Sequence, residues 1–546
     1  MNCERKNIRF CLKAGAYFFF FLCLSLSQVL FAQAEQNNIP TKGDAFISGV
    51  TAGAKTLVPI LACDSASANI CSLIFNGLIK YDKDLKLVPD LAQSWEIQED
   101  GLKIVFHLRK GVLWHDGKEF TADDVEFTYQ KLIDPQVQTP YSSDFLKVKK
   151  FHVCDPYTIE IVYEEPFSPA LSTWGMWIMP KHILENENLN TTDFSSCPIG
   201  TGPYKFKNWK RQEKIELTAF EQYFDGCPFI SRYITKIIPD QTTIFLELQT
   251  KTIDSCLLTP LQFLRQTQNT FFKNNYHKFR LNSFSYTYLG YNLEDARFKD
   301  KKVRQAFNFA VNKKELIQVV LLGQGKEVTG PFIPESWAYN DAISNADFNP
   351  EYALELLRQA GWQDTNHDSL LDKNGKNFEF TIITSQGNES RIKTAELIQK
   401  YLKNIGIKVN IKVLEWSALL DEYISKRRFE AILLGWSLSM DPDCYDIWHS
   451  SKTKEGEFNF IHYNNSEVDH LLEKARITFD LELRKKYYQR IHALIYDDQP
   501  YMFLYAPDSL EVVSSRFKGI DPAPIGIGHN FIKWWVPESQ QRYKSE

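Results

Sequence analysis

Leu102, Ile104, Phe106 and Leu108 alternate with mostly polar neighbours, the period of two that predicts a half-buried strand. Trp114-His115-Asp116-Gly117-Lys118 follows as a turn. Thr121, with Asp124 three residues on, marks a helix start that Asp134-Pro135 ends. Further along, Phe378–Thr384 reads as a strand. Arg391–Ile405 then places Ile392, Ala395, Ile398, Leu402 and Ile405 at helical spacing, with Gly406 as the stop. Ile407, Val409, Ile411 and Val413 alternate as a second strand, Ser417–Ser425 forms a short helix, and Phe429–Trp436 is a third, almost continuously apolar strand. This β-α-β-α-β succession predicts three parallel strands in the middle of a covered sheet.

Ligands of open α/β sheets bind beyond the carboxyl ends of the strands. Here those ends are Ser385–Arg391, Leu414–Trp416 and Trp436–Asp443. They collect Trp416, Trp436, Arg391, Asp441 and Asp443. An Arg at a helix N-terminus favours an anion such as a carboxylate. Asp441 and Asp443 favour a cation such as an amine, although an Asp-Pro-Asp turn can equally bond its own backbone. Taken alone, each Trp suits core packing. Opposite charges flanked by flat rings suit a zwitterion, and a peptide is the simplest one met outside a cell.

The chain has 546 residues, 24% charged and 44% hydrophobic, too apolar for a disordered protein and too polar for one of many membrane spans. A net charge of −5 offers no basic surface for nucleic acid. Aromatic residues reach 14%, enough for a large core and an aromatic-lined cleft. At roughly 150 residues per domain, the length predicts three or four units. No Gly/Ser- or Pro-rich linker separates them, so the units interleave.

Residues 1–34 read as a secretory signal. Arg5, Lys6, Arg9 and Lys13 precede the apolar run Ala14–Phe31, and Ala32-Gln33-Ala34 is a cleavage site. An uncleaved anchor is the competing reading, since the run is near spanning length. Cys23 follows Phe-Phe-Leu and lacks the small residue that precedes a lipidated cysteine. Seven cysteines follow the cleavage site, an odd number that leaves at least one unpaired within the chain. Cys63 and Cys71 are close enough for a local bridge; buried thiols are the equal alternative.

No motif anchors an enzyme. There is no GxSxG elbow, HExxH or P-loop, and His449, His462, His470 and His492 are scattered. Asp364 to Asp372 imitates a calcium loop, but Ser369 stands where Gly belongs and Gly375 where a bidentate Glu belongs. A polar hairpin is the better reading. Neither a metal nor a cofactor is expected.

Longer blocks carry a resemblance. LIFNGLIKYDKDLKLVPDLAQSWEIQEDGLKIVFHLRKGVLWHDGKEFTADDVEFTY (Leu73–Tyr129) resembles the signature region of family 5 extracellular solute-binding proteins, the dipeptide/oligopeptide group serving ABC importers. PIGTGPYKF (Pro198–Phe206), YNLEDARFKDKKVRQAFNFAVNKKEL (Tyr291–Leu316) and FEAILLGWSLSMDPDCYDIWHSS (Phe429–Ser451) continue it in the family's order. The resemblance implies an α/β, two-lobe periplasmic-binding-protein type II fold with an extra subdomain inserted in lobe one. Lobe one would comprise 35–284 plus 509–546, with the insertion at about 83–193, and lobe two 285–508.

It further implies a non-enzymatic, monomeric periplasmic protein that captures a small peptide and delivers it to an ABC permease and ATPase complex at the inner membrane. A nickel chelate, haem, opine or oligosaccharide is the alternative solute within the same fold. In peptide-binding relatives, Trp residues at the positions of Trp416 and Trp436 line the pocket, and an Asp at the position of Ser439 pairs with the peptide's α-ammonium. With Ser439 there, Asp441 and Asp443 are shifted by about one residue. Either Asp441 reaches the amine from a differently shaped loop, or the ligand lacks a free N-terminus. The helix start near Ser390 and Arg391 resembles the place where relatives hold the peptide carboxylate. Gly200-Thr201-Gly202-Pro203-Tyr204 reads as a structural turn.

Overall fold

A computed structural model describes residues 39–543. The proposed signal, 1–34, lies outside them. The three strands of the β-α-β-α-β segment are Glu379–Ser385, Lys408–Leu414 and Ala431–Ser437, and both pairings of Glu379–Ser385 are parallel. Along Ala431–Ser437, Ala431 and Leu433 enter one core while Ile432 and Leu434 enter the core on the opposite face. Burial on both faces explains the unbroken apolar run.

The intervening helix is Glu389–Lys403, two residues longer at its start than the apolar spacing indicates. Asn388 sets that start, its side-chain oxygen accepting the Arg391 N–H at 3.0 Å. Ala395, Ile398 and Leu402 face the core, and Gly406 (φ 77°) ends the turn beyond the helix. The short helix expected over Ser417–Ser425 is instead one α-turn, Trp416–Ala418, running into a π-turn, Leu419–Ile424.

A single sheet of 12 strands joins this region to the rest of the chain through the 14-residue strand Tyr501–Ser514. Its first half pairs with Ser285–Tyr291 and Gly325–Glu327, and its second half with Ser255–Leu257 and Tyr276–Asn282. The chain therefore passes between the two parts of the sheet at 283–284 and again near Pro507. Ser283 Oγ marks the crossing, donating to the Pro507 carbonyl at 2.6 Å. The first part of the sheet buries Phe46, Leu217 and Val513 on one face and Ile47, Leu248 and Val512 on the other.

The Phe46 core runs on into a separate antiparallel sheet, ordered Ala92–Gln98, Lys103–Leu108, Thr158–Tyr163, Val148–Asp155. There Ile104, Phe106 and Leu108 are buried on one face, as their alternation predicts. Thr121 and Asp124 make the expected capping box at the start of helix Ala122–Ile133.

Gly200 and Gly202 are required by close approach. A Cβ at Gly200 would lie 1.8 Å from the Ile74 carbonyl oxygen, and the Gly202 N–H donates to that same oxygen at 2.8 Å. His115 clamps the turn from the other side: Nδ1 accepts the Gly200 N–H at 3.2 Å and Nε2 donates to the Gly202 carbonyl at 2.9 Å. Burial pushes the His115 imidazole down to about 4, which keeps it neutral and able to play both parts.

The calcium-like segment folds as a hairpin, Asp372–Lys373 against Lys376–Asn377, turning through Asn374 and Gly375 at positive φ. Its carboxylates bond inward, Asp364 to the Asp368 and Ser369 N–H groups and Asp372 to Thr365. The seven cysteines among the described residues are free thiols, Cys63 and Cys71 included. Among the described residues, no helix is long and apolar enough to cross a membrane.

Candidate functional site

The parallel strands end together at Ser385, Leu414 and Ser437, with Ser385 and Leu414 direct register partners. Gly387 (φ 82°) turns the first strand-end loop so tightly against the other part of the sheet that a Cβ there would meet Thr51 Cβ at 2.7 Å and the Pro239 carbonyl at 3.1 Å. The Glu389 N–H, in the first turn of the next helix, donates to Gln241 Oε1 at 3.2 Å. Lys55 and Asp421 form an ion pair between the same two parts.

Arg391 projects from that first turn. Its guanidinium lies over Gly435, with Nη2 3.3 Å from where a Cβ would be, and Nη1 donates weakly to Ser385 Oγ at 3.4 Å. The buried Nε has no partner, and among the described residues no carboxylate pairs with this cation. Burial lowers its pKa, opposed by nearby Tyr505 and Tyr288. A guanidinium held in this way is prepared for an anion with two oxygens.

Trp436, next to Gly435, is half-buried in an aromatic wall. Its ring stacks with Phe460 (5.8 Å, 29°) and meets Phe458 edge-on at 5.5 Å, and Nε1 donates to Tyr501 OH at 3.3 Å. Trp416 is also half-buried and reaches the N-terminal part of the chain, Nε1 donating to Asp64 Oδ1 at 3.3 Å. Ser439 is exposed and its hydroxyl donates to the Asp441 carbonyl.

Of the two readings left open for the acids after Trp436, the structure has the one in which they bond within the chain. Asp441 is held by Arg484, whose Nη2 lies 3.0 Å from Oδ1, and the same oxygen accepts the Asp443 N–H at 2.9 Å. Burial raises the Asp441 pKa, with Arg484 opposing. Asp443 Oδ2 is held by Arg476 through Nε (2.8 Å) and Nη2 (2.7 Å), and Oδ1 accepts the Tyr445 N–H at 3.2 Å. The Asp-Pro-Asp turn thus bonds its own backbone and neutralises its charge within the chain. Arg476 and Arg484 lie 33 and 43 residues beyond their acids, a separation at which no local pattern announces the pairing.

Arg476 also faces the inserted sheet's neighbourhood. Its Nη2 pairs with Asp144 at 2.8 Å, and its guanidinium stacks on Tyr445 at 3.9 Å. Ser143 Oγ donates to Asp446 at 2.7 Å, and Ser168 bonds the Arg476 and Ala475 carbonyls. Burial pushes the Asp144 carboxyl up to about 7; Arg476 opposes this, while Asp446 and Asp443 add to it. A cavity of about 230 Å³ opens along this seam between Tyr81, Ile104 and Leu171 on one side and Asp441 and Phe479 on the other.

Comparison with known proteins places this geometry. Residues 86–458 match the bacterial extracellular solute-binding proteins, family 5 middle region. The oligopeptide-binding protein AppA of Bacillus subtilis (strain 168) is 35% identical over 508 residues, 91% of this chain and 92% of the relative. Its solved structure with a nonapeptide is similar at a TM-score of 0.87 and 34% identity, covering 91% of this chain and 100% of that one. NikZ of Campylobacter jejuni, solved with Ni(L-His), has a TM-score of 0.82 and 32% identity over 91% of this chain and 100% of that one.

Proposed function

This chain belongs to the bacterial extracellular solute-binding proteins of family 5, and from that premise we propose that it captures peptides between the two parts of its sheet and delivers them to an ABC permease for import. Its α/β architecture is the type II periplasmic-binding-protein fold. We assign 35–284 plus 509–546 to one lobe, with the insertion at about 83–193, and 285–508 to the other. The chain acts as a monomer in the periplasm after cleavage behind Ala34, and the ATPase across the inner membrane supplies the energy. Binding alone performs the task, with no covalent step.

The observation that carries this reading is Arg391, a guanidinium at the strand ends with no carboxylate partner among the described residues, beside the Trp436 wall. It receives the ligand's carboxylate, while Trp436 and Trp416 provide flat walls and exposed Ser439 a neutral hydroxyl. A ligand touching both lobes stabilises the closed form by its differential affinity for that form. Arg391→Met tests the assignment in calorimetry. Affinity for peptide acids should fall by about tenfold or more, while C-terminal amides of the same peptides change little. Equal losses for acids and amides would remove Arg391 from the site.

A second reading is a small carboxylate-bearing chelate, favoured by the likeness to NikZ with Ni(L-His). Arg391 would take its carboxylate in the same way. Native mass spectrometry of the purified mature protein separates the readings by the mass of what copurifies.

A further inference from the structure

A peptide zwitterion carries a cation as well as an anion, and the acids beside Trp436 are committed elsewhere. All the lone-pair directions of Asp441 meet donors: Oδ1 takes Arg484 Nη2 and the Asp443 N–H, and Oδ2 takes Arg484 Nη1 and Nη2 at 3.3 Å each. Asp443 is held by Arg476 on one oxygen and by the Tyr445 N–H on the other.

Across the cleft stands an acid in the opposite condition. Asp64 is 7% exposed and caps helix Ser65–Ile74. Its Oδ1 accepts both the Ser67 N–H at 3.0 Å and Trp416 Nε1 at 3.3 Å, leaving Oδ2 with no bond to any described residue. No cation pairs with it among the described residues. Lys55 is bound to Ser67 through its backbone N–H, yet its ammonium is directed to Asp421.

We propose that Asp64 is the partner of the ligand's positive end, so that the chain recognises peptides with a free α-ammonium through one lobe and their carboxylate through the other. This rests on the peptide reading above. Asp64 and Arg391, neither of which has an ion-pair partner among the described residues, lie in one cleft: Trp416, which touches Asp64, stands two residues past Leu414, the register partner of the Ser385 that Arg391 touches. The indole N–H holds the carboxylate in place and leaves its second oxygen for the ligand. Because the acid and the guanidinium come from different lobes, a zwitterion bridges them only when the lobes are together. A neutral or purely anionic solute would leave the Asp64 charge buried and unanswered.

Asp64→Asn provides the test, since Asn caps a helix as well as Asp and keeps an oxygen for Ser67 and Trp416. The probe is an equimolar pool of random pentapeptides and their N-acetylated counterparts, with native mass spectrometry of the mature protein reading which form is bound. The wild type should favour the free-amine pool by about tenfold or more, and the variant should bring the ratio close to one with the acetylated peptides bound as before. A wild-type ratio near one, or a variant that keeps the preference, would overturn the role of Asp64 while leaving peptide capture intact. A wild type that binds neither pool would overturn peptide capture itself, and this assignment with it.

Discussion

Asp144 and Arg476 meet at 2.8 Å across the seam between the inserted region and the far lobe, in a pocket that also holds Asp443 and Asp446. The contact ties the two parts of the molecule together beside the proposed strand-end site, since the same Arg476 holds Asp443. Its energetics depend on pH, because burial raises the Asp144 carboxyl to about 7.

The sign follows from linkage. Asp144 faces Arg476 and Lys452 as cations and Asp443, Asp446 and Tyr163 as acids. Opening the lobes returns it toward its ordinary value of 3.8. Closing therefore takes up a proton between these two values. The proton-linked gain is complete below the open-form value and lost as pH rises through about 7. Solution scattering of the ligand-free protein should show a smaller radius of gyration at pH 5 than at pH 8. Asp144→Asn should flatten the difference.

His115 predicts a second pH effect, on folding itself. Its folded value, about 4, lies below the ordinary 6.5, so the unfolded chain binds the extra proton. Stability from this group is complete above 6.5 and is lost as pH falls through about 4, by about 3–4 kcal/mol in total. His492, buried and also held at about 4, adds in the same direction. Urea unfolding at pH 5 and pH 7 measures the loss, and His115→Gln should reduce its pH-dependent part.

Trp416→Ala and Trp436→Ala should weaken peptide binding while lowering folding stability by less than about 2 kcal/mol, since both rings are half-buried. Trp448→Ala, at a fully buried ring, should cost about 3–5 kcal/mol. Calorimetry and denaturant curves on the three variants separate cleft from core. A core-sized loss at Trp416 or Trp436 with unchanged affinity would return that residue to packing.

Asp441→Asn should leave Arg484 buried without its counter-charge and lower stability by roughly 3–5 kcal/mol. Affinities for free-amine and acetylated peptides should then change together. A loss confined to free-amine peptides would put Asp441, not Asp64, at the ligand's amino end.

Gly202→Ala would press a methyl group against the Ile74 backbone, 2.5 Å from its carbonyl carbon. Neither side is a flexible side chain, so the melting temperature should fall by several degrees, on the order of 3 kcal/mol. The affinity of the remaining folded protein should be unchanged.

The β-α-β-α-β segment was legible because period two in Ile407–Val413 and helical spacing in Ile392–Leu402 each describe one element's own burial. The strand ends, and with them Arg391, Trp416 and Trp436, followed from topology. Two kinds of feature were not legible. The Asn388 cap and the π-turn at Leu419–Ile424 depend on backbone hydrogen bonds that leave no hydrophobic period. The charge balance of the Asp441–Asp443 turn depends on Arg476 and Arg484, which distant helices bring in. No sequence pattern singles out Asp64. In three dimensions it is distinguished by the Trp416 contact and by having no cation paired with it among the described residues.

Tyr501–Ser514 stands in the interior of the sheet of both lobes, yet it follows every other described strand of that sheet in sequence. Until it arrives, Ser285–Tyr291 and Ser255–Leu257 each lack a neighbour, and neither lobe has a complete sheet to bury its helices against. Assembly of the sheet must therefore wait for this strand and proceed through contacts of long sequence separation, the slow class of folding reaction. A sheet built in this order has neither half finished until its central strand is in place.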